Sequence, residues 1–176
     1  MATLEPDIHQ SPRLRMDRVQ MPWSLLGRGP GWSRRPLAVA GTASFVVGGL
    51  LLLWSAYIHF HLWGEPGGYR SIATIGPLFL LQSIAGLVIG LGVIVVRRLW
   101  AALVGVGFVL STLAGFLLSV THGLFGFQET WLAPFAQQAF GIEVAAAAVL
   151  IAAALLSLAG SSPHARAGAS PAGPAA

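Results

Sequence analysis

Five histidines and six acidic residues are the side chains of this chain best suited to bind a metal or move a proton. Glu143 is the most unusual of them, because it interrupts an otherwise apolar run, Ala133 to Leu158. An ionised carboxylate at the centre of a membrane helix is unfavourable by about 2.5–3.5 kcal/mol, so it must find a partner or stay protonated. At about 1.5 Å per residue, Glu143 falls roughly 18 Å below Trp131. The same count brings Gln82, Ser111 and Thr112 to a similar depth on neighbouring runs, as its candidate partners. Two readings stay open: a proton-titrating or substrate-binding carboxylate, and a neutral glutamic acid that ties helices together by hydrogen bonds. Gln137 and Gln138 lie between Glu143 and the outer surface and could extend a polar track outward.

A second set of reactive types gathers at one level. Tyr57, His59 and His61 end the first apolar run, His122 ends the third, and Glu65, Tyr69, Arg70 and Glu129 fall in the connections beside them. Imidazole is a good ligand for zinc, copper or haem iron. His59 and His61 are about 200° apart on a helix and cannot share one ion, so a haem or divalent metal site would pair one of them with His122. The plainer reading is a rim of amphipathic side chains at the lipid headgroups. Arg70, lying among Glu65, Glu129 and the rim histidines, is expected to form an ion pair across the loops.

These residues need elements to hold them, and the composition says which. The 176-residue chain is 55% hydrophobic and only 9% charged, against about 25% charged in soluble domains. That excludes an ordinary soluble domain, a coiled coil and a disordered protein. Four apolar runs reach the ~20 residues that a bilayer core of about 30 Å requires. The expected fold is an all-α, four-transmembrane-helix bundle of up-down order, with spans at about 38–62, 72–96, 100–122 and 133–159. The first run is too long for a signal-peptide core and should stay as a span.

Orientation follows from arginine, since there is no lysine among the ten basic residues. Six precede the first span (Arg13, Arg15, Arg18, Arg28, Arg34, Arg35), Arg97 and Arg98 join spans two and three, and Arg166 lies in the tail. Only Arg70 falls on the other side. By the positive-inside rule both termini are cytoplasmic. This placement, with no basic-aromatic patch, excludes nucleic acid as a partner. Trp32 and Trp100 then mark the inner interface, Trp63 and Trp131 the outer one. Residues 1–36 read as a disordered basic arm and 160–176 as a disordered tail. Gly86 and Gly90 form a GxxxG in span two; with Gly48, Gly49, Gly105, Gly107 and Ala145 to Ala148 they are expected to let helices approach closely. The loop from Gly123 to Trp131 is expected to lie in the interface as a short re-entrant segment, and Pro134 to open span four.

No Cys is present, which excludes disulfides, thiolate zinc sites and iron–sulfur clusters. No nucleotide loop, Ser–His–Asp set or HExxH motif appears, so the expectation is no enzyme and no obligatory cofactor. His59-Phe-His-Leu-Trp63, Gly68-Tyr-Arg-Ser-Ile, Ile75-Gly-Pro-Leu-Phe-Leu-Leu-Gln82 and Leu124-Phe-Gly-Phe-Gln-Glu129 together resemble a pattern in uncharacterised small four-span membrane proteins of high-GC Gram-positive bacteria. The resemblance covers residues 37–159. It implies the topology and a bacterial plasma-membrane location, and carries over no catalytic residue. Three functions fit. One is a non-enzymatic accessory or assembly subunit, partnered by the lipid bilayer and by other membrane subunits or its own copies. Another is a small proton-coupled transporter using Glu143 with Gln82. The third is a haem- or metal-binding protein using His59 or His61 with His122.

Overall fold

The computed structural model describes residues 35–159. The basic arm, with Trp32 and all its arginines but Arg35, and the tail with Arg166 lie outside the described residues. Four α-helices make up the rest: α1 (Arg35–Gly64), α2 (Ile75–Val96), α3 (Leu99–His122) and α4 (Ala136–Ala159). One 3-10 turn, Tyr69–Ser71, lies between α1 and α2. All four helices are long and apolar enough to cross a membrane. A backbone surrounded by hydrocarbon must satisfy its own hydrogen bonds, which a helix does within each segment.

Helix α1 packs most extensively, against α2 on one side and α4 on the other; α4 also packs on α3, whereas α2 and α3 meet sparsely. Small residues set these crossings. A Cβ added at Gly90 would lie 3.0 Å from the carbonyl oxygen of Gly49, and one at Gly86 would lie 3.1 Å from the Cβ of Ala56. The GxxxG of α2 is thus used within the chain, against α1. Leu150, fully buried at 0% exposure, fills two glycine sockets. A Cβ at Gly48 of α1 would come within 2.6 Å of its side chain, and one at Gly105 of α3 within 2.9 Å. Gly107, by contrast, faces open space. Phe45, Leu52, Val93, Val109 and Ala146 complete the core around Leu150.

The connections differ from expectation at three places. Span four starts at Ala136, because Phe135 has a positive φ of 62° that breaks the helix. Pro134 therefore lies in the preceding turn and not in the first turn of α4. Glu143 then lies about 10 Å along α4 from its first residue. Span two starts at Ile75, behind Thr74 with φ 66°. The loop after α3 is a hairpin and not a re-entrant segment. Leu124 and Phe127 exchange backbone hydrogen bonds of 2.6 and 2.9 Å, and the central Phe125 and Gly126 both have positive φ (51° and 78°), the signature of a type I′ turn. At the opposite end of the bundle, Arg97 adopts the left-handed conformation and closes α2 by donating its N–H to the Val93 carbonyl at 3.3 Å.

Candidate functional site

Glu143 is buried on α4, at 3% exposure. Its hydrogen-bond donor is Ser55 of α1, whose hydroxyl donates to Oε1 at 2.9 Å. Gln82, Ser111 and Thr112 do not reach it. Gln82 instead donates to the Thr112 hydroxyl, joining α2 to α3. The Thr112 hydroxyl in turn donates to the Phe108 carbonyl at 3.0 Å. Ser111 is exposed and bonds back to the same carbonyl at 2.6 Å. The expected four-residue cluster is therefore split: Glu143 ties α4 to α1, Gln82 and Thr112 tie α2 to α3, and Ser111 joins neither tie. Gln137 and Gln138 are both exposed, and Gln137 donates to the Trp131 carbonyl at 3.3 Å, so no polar track runs outward from Glu143.

One turn above Ser55, His59 is buried at 9% exposure. Its Nδ1–H donates to the Ser55 backbone carbonyl at 2.9 Å. Ser55 thereby serves two groups at once, Glu143 through its hydroxyl and His59 through its carbonyl. It is the residue the sequence reading missed. Its signal was the four-residue spacing to His59, which stacks the two on one helix face.

The remaining rim residues divide among separate contacts. His61 pairs with Glu65 at 3.1 Å, one turn on. Its ring stacks on Tyr57 (5.9 Å) and meets the edge of Phe135 (5.4 Å). Tyr57 is itself more than half exposed. His122 shares a 2.7 Å hydrogen bond with the Thr121 hydroxyl. No contact joins His122 to His59 or His61, and no group of three potential metal ligands forms among the described residues. Arg70 makes no ion pair there. Glu65 is engaged by His61 and Glu129 by Tyr69, and the Arg70 guanidinium lies 5.8 Å over the Trp63 ring, a cation–π contact.

Tyr69 clasps the α1–α2 connection to the α3–α4 connection. Its hydroxyl donates to Glu129 Oε2 at 2.6 Å, and its ring stacks on Phe79 at 4.1 Å. Glu129 is fixed in turn, its N–H shared between the hydroxyl and the carbonyl of Ser119 at 3.2 and 3.3 Å. Burial, then the bond and charge of Glu129, push the Tyr69 phenol above its ordinary value of 10.0. A raised phenol favours the folded state below pH 10, and that contribution is lost as pH rises through the folded value. With Tyr57→Phe removing the other of the two tyrosines, phenolate absorbance should appear only well above pH 10. Adding Glu129→Gln should lower the titration while burial still holds it above an exposed phenol.

Between α2 and α3, under the Tyr69–Glu129 clasp, runs a groove of about 440 Å³. Apolar side chains dominate its wall, with His59, Gln82, Thr112, Ser119 and Glu129 the polar exceptions apart from Ser111. Leu81, in its wall, is 61% exposed. The chain matches no protein-family model, no curated protein and no solved structure.

Proposed function

We propose that the chain is a multi-pass integral membrane protein of a bacterial plasma membrane, acting as a non-enzymatic accessory or assembly subunit of a larger membrane complex. In this reading the bundle is up-down with both termini cytoplasmic. Two observations support that topology. The α1–α2 contacts fall in opposite order along the two helices, Gly49 to Gly90, Ala56 to Gly86 and His59 to Phe79. Arg97 and Arg98 lie at the end of the bundle opposite to Arg70. Kinship with the small four-span proteins of high-GC Gram-positive bacteria is part of the same proposal.

The observation that carries the accessory role is the engagement of Glu143. Its carboxyl is tied to Ser55 inside the helix packing, and Glu143 lines neither the groove between α2 and α3 nor the two clefts beside Phe135. That is the behaviour of interhelical glue and not of a group alternately open to two sides. The test is mild crosslinking in native membranes, followed by affinity capture of the full chain. A defined partner of different mass is expected; capture of the chain's own copies alone would overturn the accessory role. Proton-coupled uptake lost in Glu143→Gln would favour the carrier in its place, and a Soret band or stoichiometric metal in the purified protein would favour the histidine site.

A further inference from the structure

The groove between α2 and α3 is lined by a buried histidine, one of whose ring nitrogens has no partner among the described residues. His59 lines it at 9% exposure. The Ser55 carbonyl can only accept, so the bond at 2.9 Å places the proton of a neutral ring on Nδ1. Nε2, on the opposite edge of the ring, is then a lone-pair acceptor. It has no hydrogen-bond partner among the described residues, although a buried acceptor normally has one. The missing partner is therefore a donor.

The wall defines the rest of that donor's molecule. Phe79, Ala85, Phe108, Phe116 and Phe127 supply an apolar surface, and about 440 Å³ lies within the range of roughly 300–1,000 Å³ usual for small-molecule sites. Glu129 is in the lining and no Arg is, while the chain has no Lys at all. A carboxylate or phosphate head would meet an acidic side chain with no cation to balance it. We propose that the groove binds a neutral amphiphile headed by a hydroxyl, which donates to Nε2 of His59 while the hydrocarbon tail runs between α2 and α3. This site goes beyond the accessory role and does not depend on it.

The test uses the full chain in phosphatidylcholine nanodiscs with three probes of equal tail: oleyl alcohol, methyl oleate, which lacks a donor, and oleic acid, which is anionic when ionised. Native mass spectrometry should show oleyl alcohol retained, with the other two bound about tenfold more weakly or worse. His59→Phe keeps a ring against Phe79 but removes Nε2, and should reduce alcohol binding to the level of methyl oleate. A Cβ at Gly115, in the groove wall, meets nothing within 4 Å, so Gly115→Leu should fold and exclude all three probes. In isotope-labelled wild-type protein, oleyl alcohol should shift the imidazole resonances of His59 and leave those of His61 and His122 in place. Equal retention of alcohol and ester, an unmoved His59 resonance, or undiminished binding to Gly115→Leu would each overturn the proposal. So would phosphatidylcholine occupying the groove to the exclusion of the alcohol.

Discussion

Gly90→Val is expected to force α1 and α2 apart and to lower the stability of the bundle by about 2–3 kcal/mol, the upper part of the range for overpacked cores. The magnitude follows from what the new side chain would meet. At Gly90 the nearest atom is the Gly49 carbonyl oxygen, 3.0 Å away, and it belongs to a helix backbone that cannot rotate aside as a side chain would. Two residues further along α2, Gly92 has nothing within 4 Å. Gly92→Val therefore changes helix propensity in the same way without touching α1. Its effect should stay within about 0.5 kcal/mol. Unfolding both variants by graded denaturing detergent in mixed micelles, followed by tryptophan fluorescence, separates the two. A shared large loss would mean that intrinsic helix effects, and not the α1–α2 crossing, set stability; a shared small loss would mean that the two helices are not held at this contact.

The second large effect concerns Ser55 and Glu143. Ser55→Ala should destabilise the bundle by about 0.6–2 kcal/mol, the range for interhelical hydrogen bonds in membranes, because it leaves a carboxyl at 3% exposure without its 2.9 Å donor. Glu143→Leu alone should have a smaller effect, since the Ser55 hydroxyl can turn to a carbonyl of its own helix. The combination should recover much of the Ser55→Ala loss, because replacing both partners by apolar groups removes the unsatisfied group together with the bond. Measured as a double-mutant cycle, the two changes should be strongly non-additive. Simple additivity would show that the pair does not hold α1 to α4.

Much of the fold was legible because membrane spans are written in length and composition. Four apolar runs gave four helices, and Arg97-Arg98 marked the short turn between two of them. The rotation of each helix was far less legible. A helix that is apolar on all sides carries no stripe to say which face turns inward, so nothing local showed that Glu143 faces Ser55 and not Gln82. A helical rise cannot be counted all the way from Trp131 to Glu143, because residues from Trp131 to Phe135 form turns and not helix. Arg70 departs from expectation because both acids are engaged elsewhere, Glu65 by His61 one helical turn away and Glu129 by Tyr69. The groove was invisible to sequence, since its wall comes from three helices and a hairpin and its one informative atom is identified by a missing partner.

Leu150 has a consequence for how the molecule is made. It enters sockets in α1 and α3 from the last of the four described helices to be synthesised. Until α4 leaves the insertion machinery, the sockets at Gly48 and Gly105 lack the Leu150 side chain that fills them. Assembly thus ends on a single late event, much as an arch stands only once its keystone is set. Chains stalled before Leu150 should be open to quality-control proteases, while those that have passed it should be sealed.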